Sequence, residues 1–415
     1  MTITIISQSY KPLIIDMVTP DDHKFIASLF KKNDAGEVFT VQIADKSFKS
    51  KLSIFDALHR KYRKVQAVLS QIPDESKFLL VDRSVSDSLE FELFHLLVNH
   101  LNGGNLPQNK LRTIATISNL YSVFTFDGCS KHQVHKGESD KNKRVCRFCG
   151  KSIPEVSFSN KSHAVSEFLG NKSLVCNDEC DDCNERFSRT IEPDIANMLA
   201  PLLTINAISG KHGVRKTLGK NFKLSLDKST ATTDNIGTLK FILEDDFPSD
   251  VEAFLQYNLK LDTSNLTYRP QNIYKCLCKY IVSLLEPHDL SHFTKTIHWI
   301  NSNTASCKLP MIAVCNTDHL FTTPQILIAI RKTENKDIPY CIGVVLTMNN
   351  AFAFILPFAT EDKWSFTTEV QNLRFLNLIK DLFKGYSWTL ANFSSSRKTF
   401  LPISFSITIQ ADNND

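Results

Sequence analysis

Apolar and polar positions in the first third of the chain alternate at first and then follow a helical period. The run "EVFTVQI" alternates as a half-buried strand does, and "MTITIISQSYKPLIIDMV" is typical of a first strand. "KLSIFDALHRKYRKVQAVLSQI" places most of its apolar residues along one face, as an amphipathic helix does. A second helix is predicted in "SDSLEFELFHLLVNHL", which Ser or Asp opens and "NGG" ends. Residues 1–126 are therefore predicted to form an α+β domain, of a role that the pattern does not indicate.

The residues that follow, 127–145, lack apolar periodicity and are rich in Lys, Ser, Asp and Asn, which predicts a linker. Periodicity returns after residue 205. Helices are predicted in "PQNIYKCLCKYIVSLLEP", "DLSHFTKTIHWINSN" and "TEVQNLRFLNLIKDLFKG", and β-strands in "PMIAVCN", "QILIAIRK" and "YCIGVVLTMNNAFAFILPF". The pair "NN" at 349–350 favours a hairpin turn, and "FLPISFSITI" a closing strand. Residues 206–415 are thus predicted to form a second α+β domain, with a targeting or regulatory role.

Composition adds limits on size and environment. A chain of 415 residues is too long for a single ordinary hydrophobic core, so more than one domain is expected. A hydrophobic content of 42% is that of a folded globular protein. The net charge of only +4 does not by itself demand a polyanionic partner. No uninterrupted apolar stretch approaches about 18 residues, and the N-terminal run lacks the basic start of a secretory signal. We therefore expect no membrane span and a cytoplasmic location.

The eleven cysteines change this picture because four of them are paired at short spacing. The pairs Cys146-x-x-Cys149 and Cys180-x-x-Cys183 stand thirty residues apart, whereas other cysteines are scattered in apolar runs, as buried thiols are in a reducing compartment. Each pair forms a tight knuckle, and four thiolates complete a tetrahedral zinc shell. Four thiolates would also hold iron, and Cys176 remains a competing ligand.

The residues between and after the pairs predict a small ββα unit built on this ion. The run "VSFSNKSHAV" is typical of a hairpin that turns at "SNK" and carries His163 in its second strand. A helix is predicted to begin at Asp181–Asn184, where the side chains are good capping acceptors. Residues 146–205 are therefore predicted to form a zinc-stapled module.

The ordered combination of Cys-x-x-Cys, a strand histidine, "FLGN" and Cys-x-x-Cys-Asn resembles the HNH, or ββα-metal, endonucleases in their zinc-knuckled subgroup. The resemblance implies hydrolysis of a phosphodiester, with a structural zinc ion and a catalytic Mg²⁺ or Mn²⁺. It implies that His163 is the base that activates water, a role that suits a neutral imidazole. Asn184 would bind the catalytic ion, and either Asn171 or Asn177 would orient the base. We prefer Asn171.

Ser162 departs from the family pattern, because many members carry an acidic metal ligand directly before the base. A hydroxyl is a weak, neutral ligand, so a carboxylate would have to come from elsewhere. The candidates are Glu179, Asp181 and Glu192, of which we take Glu192 as the partner of Asn184. The alternatives are an ion that binds weakly and a site that has lost its activity.

Basic residues flank the module and offer DNA phosphates a surface. A solvated face explains such residues equally well. The predicted DNA-backbone contacts are Arg144, Arg186, Arg189, Lys211, Arg215 and Lys216.

The sequence as a whole predicts a metal-dependent DNA endonuclease module inserted between two α+β domains. By resemblance, restriction or anti-phage defence is a natural setting for it. The flanking domains would read DNA, a partner protein or a small-molecule activator. Two other classes stay open: a zinc-dependent nucleic-acid-binding regulator without catalysis, and an interaction scaffold whose knuckles only hold the large domains together.

Overall fold

A computed structural model describes residues 2–8, 13–16, 29–30, 39–54, 63–129, 133–227, 238–243, 258–302, 307–383 and 385–406. The chain forms two compact units. One comprises Met1–Phe124 with Ala329–Thr333, and the other comprises Thr125–Ile328 with Glu334–Asp415. Helices and strands occur in runs and not in regular alternation, so the predicted α+β class is confirmed at this level. No helix of the described ranges is both long and apolar enough to cross a membrane.

The first unit is built on an antiparallel sheet with the strand order β2-β1-β4-β3. Four helices accompany this sheet. The strands are β1 (Thr2–Ile6), β2 (Leu13–Asp16), β3 (Phe39–Ile43) and β4 (Lys77–Val81), and the helices are α1 (Lys46–Ile54), α2 (Arg63–Ser70), α3 (Ser88–Leu101) and α4 (Gln108–Leu120). Strand β5 (Tyr121–Asp127) follows α4.

Alternation along the strands gives this sheet two buried faces. Phe78 and Leu80 of β4 belong to one apolar cluster, with Phe48 of α1. Leu79 of the same strand belongs to the other cluster, with Phe94 of α3. Residues one apart therefore pack on opposite sides, and the sheet is covered on both.

The second unit holds the paired cysteines, several small sheets and two long strands, Ile312–Arg331 and Cys341–Ile355. Its helices are α5 (Asp181–Thr190), α6 (Glu192–Met198), α7 (Ala200–Ile205), α8 (Pro270–Leu284), α9 (Thr294–Asn301) and α10 (Glu369–Leu382). Its strands are β6 (Val134–Lys136), β7 (Leu174–Cys176), β8 (Ser209–Gly210), β9 (Gly213–Val214), β10 (Thr217–Leu218), β11 (Phe222–Asp227), β12 (Thr238–Leu243), β13 (Asn258–Leu261), β14 (Ile312–Arg331), β15 (Cys341–Ile355), β16 (Thr389–Ala391) and β17 (Ile403–Ser406). The sheet orders are β10-β11-β12, β13-β17, β15-β14-β16, β6-β7 and β8-β9.

Helix α8 is the buried centre of this unit. Nearly every residue from Pro270 to Leu284 is buried, including Lys275, Lys279 and the cysteines at 276 and 278. A helix that is buried all round must satisfy any charge it carries from within the protein. The partners of Lys279 are therefore part of the site described below.

Several element predictions are confirmed and others are wrong. The helix in "SDSLEFELFHLLVNHL" is α3, and Asp87 caps it by accepting from the amides of Leu89 and Glu90. The proposed turn at Asn349–Asn350 does not exist, because β15 runs straight through it. The runs "PMIAVCN" and "QILIAIRK" are one strand, β14, and the first run holds two strands, β1 and β2. Residues 55–62 of the predicted "KLSIFDALHRKYRKVQAVLSQI" helix lie outside the described ranges.

Candidate metal centre and active site

The four paired cysteines converge on one point. The Sγ atoms of Cys146, Cys149, Cys180 and Cys183 all lie within 4.8 Å of one another. The Sγ atoms of Cys149 and Cys180 are 3.8 Å apart. Zn–S bonds of about 2.3 Å in a tetrahedron require about the same sulfur–sulfur distance. The cluster therefore has the shape and the donors of a structural zinc site, and Cys176 lies outside it.

Hydrogen bonds favour the thiolate form at one of the four cysteines, Cys146, whereas burial raises the pKa of Cys180 to about 12. The backbone amide of Cys180 donates to the Sγ of Cys146 at 3.5 Å. A hydrogen bond from the Cys183 thiol and others from nearby backbone amides lower the pKa of Cys146 to about 5, although burial opposes this. A thiolate is the form that binds a metal ion.

Helix α9 fastens the two knuckles together through Asn301. Its Nδ2 donates to the carbonyl of Phe148 in the first knuckle at 2.5 Å. Its Oδ1 accepts from Arg186, one turn after the second knuckle, at 2.6 Å. The rings of Phe148 and Phe187 meet edge to face, with centroids 4.8 Å apart. The cluster is thus closed on one side by aromatic packing and by an amide from a distant helix.

Arg147 ties the first knuckle to the end of α8. Its Nη1 donates to the carbonyls of Val282 and Leu285 at 2.7 and 3.1 Å. Its Nη2 lies 3.1 Å from a carboxylate oxygen of Asp178, and this pair is almost fully buried. The last carbonyls of a helix have no partner within the helix, so Arg147 satisfies groups that would otherwise be orphaned.

The strand pairing around His163 differs from the predicted hairpin. The amide of Ala164 donates to the carbonyl of Leu174, and the amide of Cys176 donates to that of Ser162, so His163 faces Val175 in an antiparallel bridge. The turn lies at "EFLGN" and not at "SNK". Strand β6 runs parallel to β7 on its other side, so residues 134–136 of the predicted linker are structured.

The turn after His163 depends on a glycine. Gly170 has φ of +89°, and a Cβ there would lie 2.4 Å from the carbonyl oxygen of Thr322 in β14. Only glycine adopts this conformation without strain and permits so close a backbone approach. The "LGN" motif is therefore required by the packing of this turn against β14.

Asn171 holds the turn from inside and reaches the ring of His163. Its Oδ1 accepts from the amides of Ser173 and Leu174, which fixes the orientation of the amide group. Its Nδ2 donates to the carbonyls of Val165 and Leu174 and lies 3.4 Å from Nδ1 of His163. Both hydrogens of Nδ2 already have carbonyl partners. The contact of Nδ2 with Nδ1 of His163 therefore restrains the ring but is not a full hydrogen bond.

Asn177, the other candidate for the orienting residue, has a different partner. Its Oδ1 lies 3.0 Å from Nδ1 of His135 in β6. The structure therefore brings Asn171, and not Asn177, to the imidazole of His163.

His163 itself is mostly buried, with about 15% of its side chain exposed, and its Nε2 lies 3.4 Å from Oε1 of Glu167. Burial lowers the pKa of His163 below the ordinary value of 6.5, and Lys161, Lys279 and Lys172 lower it as well. Glu167 acts in the opposite direction and raises it. The imidazole is therefore predominantly neutral near neutral pH, with one nitrogen available to accept a proton.

Lys279 of α8 reaches the backbone of the same residue. Its Nζ donates to the carbonyl of His163 at 3.0 Å. It also lies 3.2 Å from Glu179 and 3.7 Å from Glu192. Burial opposes the charge on Lys279, but these two carboxylates outweigh it and raise its pKa above the ordinary value.

The carboxylates that the sequence offered as metal ligands are engaged elsewhere. Glu179 and Glu192 surround Lys279. The Asp181 carboxylate accepts from the amides of Ser159 and Asn160 and therefore does not cap α5, whose N-cap residue is Cys180.

The two remaining polar side chains of the predicted site are also placed. Ser162 is buried and donates to the carbonyl of Glu179 at 3.1 Å. Asn184 is half-buried on the first turns of α5.

Of the cations predicted to contact DNA, the arginines are engaged by other groups of the protein and the lysines are exposed. Arg144 donates to the carbonyls of Glu138 and Ser139, and Arg215 is half-buried on Asn197. Burial lowers the pKa of Arg215, which is thus a structural residue of this unit. Arg186 is engaged by Asn301 and Arg189 by Glu185, while Lys211 and Lys216 are exposed.

The exposed Lys211 lies near the turn at "EFLGN". The β8-β9 hairpin that carries it packs on Phe168, and a Cβ on Gly210 would lie 3.0 Å from the Phe168 Cα. Lys172 donates to the carbonyl of Ser209 in the same hairpin at 2.9 Å. Lys161 and Lys172 act on His163 electrostatically, so cations that the sequence did not single out lie around the imidazole.

Sequence reasoning missed Glu167, which lies closest to the imidazole among the acidic residues discussed. The signal was present, because Glu167 stands four residues after His163 and directly before "FLGN". Lys279 gave no such signal, since 116 residues separate it from His163.

Comparison with known proteins identifies this part of the chain. Residues 146–200 match the HNH endonuclease family. The match confirms the resemblance that the cysteine pairs, His163 and Asn184 indicated, and membership of this family implies phosphodiester hydrolysis on a nucleic-acid substrate. Neither the curated proteins nor the solved structures yield a match to the chain.

Proposed function

Because residues 146–200 are a module of the HNH endonuclease family, we propose that the protein is a divalent-metal-dependent DNA endonuclease in which His163 activates the attacking water. The observation that carries the proposal is the pairing of His163 with Glu167 between the two cysteine pairs of the sequence. A base of this kind must be neutral at the working pH and must be held in one orientation. Both requirements are supported by the environment of His163.

The orientation of the base comes from three sides. The antiparallel bridge to Val175 fixes its backbone, and Lys279 holds its carbonyl. Asn171 restrains the ring at Nδ1. Held in this way, the unprotonated nitrogen of the neutral ring takes the proton from water as the water attacks phosphorus.

We propose that Glu167 is the acidic ligand of the catalytic ion, because Ser162 stands where many family members carry that ligand. Glu167 is about 31% exposed and approaches Nε2 of His163, whereas Glu192 is engaged by Lys279. The oxygens of Glu167 and Asn184 are hard donors, which fit Mg²⁺ or Mn²⁺ better than zinc. Such an ion would supply positive charge for the phosphate and for the leaving oxygen.

Positive charge around the site suits a polyanionic substrate. Lys161, Lys172 and Lys211 lie on the segments next to His163, and Lys161 and Lys211 are exposed. Contacts of this kind bind the phosphate backbone and carry no base information. We propose DNA as the substrate and keep restriction or anti-phage defence as a prediction from the family resemblance.

The decisive experiment compares two histidine variants. Wild type, His163→Ala and His288→Ala are incubated with supercoiled plasmid and Mn²⁺, and nicking is followed on gels. His288 is a matched control because its side chain is about 78% exposed. We expect the rate to fall about 10²–10⁴-fold in His163→Ala and to stay at the wild-type value in His288→Ala.

Retained cleavage in His163→Ala with unchanged zinc content would overturn the proposal. DNA binding without cleavage in any of the three proteins would favour the regulator, and no binding would favour the scaffold.

A further inference from the structure

A cleft of about 750 Å³ opens beside the C-terminal half of α5. It is bounded by that half of α5, the start of α8 and the end of α9. Neither His163 nor Asn184 lines it. The cleft therefore has a lining distinct from the residues proposed for hydrolysis.

The charge of the cleft has one sign. Arg186, Arg189, Arg269 and Lys275 line it, and among the described residues no Asp or Glu does. Arg189 is neutralised by Glu185, which lies outside the lining, and Arg186 also donates to the Cys183 sulfur. Arg269 and Lys275 have no carboxylate partner within the described ranges. Two cations facing one cavity without a counter-charge repel each other unless an anion binds between them.

Lys275 is held by neutral groups. Lys275 is buried, with only 3% of its surface exposed, donates to the carbonyl of Ser302 at 2.5 Å and lies 5.3 Å from the centre of the Trp299 ring. Burial lowers its pKa, although it stays within reach of the cavity. Arg269 is exposed at the N-terminal end of α8. The carbonyl and the ring orient the ammonium group without cancelling its charge.

The size and the walls of the cleft select the ligand. A volume of this order is that of a small-molecule site, since such sites span about 300–1,000 Å³. Ile191 and Ile300 add apolar wall next to the cations. Duplex DNA, whose major groove alone is about 12 Å wide, is too large to enter. The complementary ligand carries phosphate on one part and a flat or apolar group on another.

We propose that this cleft binds a phosphorylated small molecule of nucleotide size, with Arg269 and Lys275 on its phosphates. The guanidinium of Arg269 matches phosphate oxygens in pairs, and Lys275 supplies a point charge. Arg186, which borders the cleft and contacts Cys183, places the ligand next to the zinc cluster. This inference stands independently of the nuclease proposal, because neither of its two residues belongs to the hydrolytic site.

The test is calorimetric titration of the full-length, zinc-loaded protein with ATP, and separately with inorganic pyrophosphate, without added divalent ions. The variants are Arg269→Ala, Arg269→Glu and Lys275→Met, with Arg374→Ala as the matched control. Arg374 is an exposed arginine of α10 that does not line the cleft. We expect saturable ATP binding that weakens at least about tenfold in each cleft variant and is unchanged in Arg374→Ala.

Three outcomes would overturn the proposal. The first is the absence of saturable binding of both probes up to millimolar concentration. The second is equal affinity in Arg269→Glu and wild type. The third is no ATP binding together with Arg269-dependent binding of a short single-stranded oligonucleotide, which assigns the cleft to a nucleic-acid strand. Arg269 is exposed, so its variants decide the matter even if Lys275→Met does not fold.

Discussion

Lys279 Nζ donates a hydrogen bond of 3.0 Å to the backbone carbonyl of His163, across 116 residues of sequence. The lysine is fully buried and is balanced by Glu179 and Glu192. A helix outside the family match thus holds the backbone of the proposed base. The backbone position of His163 and the packing of α8 therefore depend on one side chain.

Replacing Lys279 by Met tests this coupling. The variant leaves two carboxylates in a buried site without their cation, and breaking a buried pair costs about 3–5 kcal/mol. We expect the free energy of unfolding, measured by urea denaturation, to fall by about that amount. Lys279→Arg keeps the charge and should lose less.

The control for this experiment is Lys295→Met, on the exposed side of α9. Its effect should stay within about 0.5 kcal/mol, as for ordinary surface changes. A Lys279→Met protein as stable as Lys295→Met would contradict the assigned role of the buried pair.

Glu167→Gln tests the electrostatics of the base. Glu167 raises the pKa of His163, while burial and the lysines lower it. Removing the carboxylate lowers this pKa further, so the imidazole stays neutral to lower pH. The acid limb of the pH–rate profile should therefore move to lower pH, and half-maximal activity should require more Mn²⁺ because an oxygen ligand is lost.

The matched control is Glu155→Gln, at an exposed position near the first knuckle. Its profile and metal requirement should be those of wild type. An acid limb that moves to higher pH in Glu167→Gln would show that the carboxylate does not act on His163 as described.

Cys180→Ser tests the metal cluster. Zinc contributes about 10–16 kcal/mol of apparent binding energy in small zinc domains, and a serine oxygen is a poor substitute for a thiolate. We expect metal analysis to show loss of zinc and thermal melts to show loss of the cooperative transition of this unit. Cys129→Ser, at an exposed cysteine outside the cluster, should keep both. Full zinc content in Cys180→Ser would refute the ligand assignment.

A comparison of Gly170→Ala with Gly213→Ala separates backbone strain from a steric clash of the new Cβ. Both glycines have φ near +90°, at +89° and +87°. A Cβ at Gly213 meets nothing within 4 Å, whereas at Gly170 it meets the Thr322 carbonyl at 2.4 Å. Backbone strain costs about 1–3 kcal/mol in either variant. We expect Gly170→Ala to lose clearly more than this in urea denaturation, and equal losses would mean that β14 does not press on the turn.

The sequence predicted those features that depend on local spacing. The knuckles were predictable because two cysteines three residues apart must face one ion. Helix α3 was predictable because its cap and its terminator lie next to its apolar face. His163 was found because it stands between the two pairs in a motif of fixed order.

The remaining features depend on contacts that no local pattern encodes. The strand of His163 pairs with β7 because Asn171 closes the turn from within, and composition alone favoured a turn at "SNK". Asn349–Asn350 lie inside β15 because β14 pairs along its length, which overrides their turn propensity. Arg147, Lys279 and Asn301 gained their roles from partners more than a hundred residues away.

The amide of Asn301, shared between Phe148 and Arg186, has a consequence for protein engineering. A graft that transplants only residues 146–205 onto a new scaffold would carry all four sulfurs but would lack Asn301 and the carbonyls of Val282 and Leu285 to which Arg147 donates. The knuckles would then lose the contacts that α8 and α9 supply to their alignment. The shortest transferable cassette must extend through residue 301.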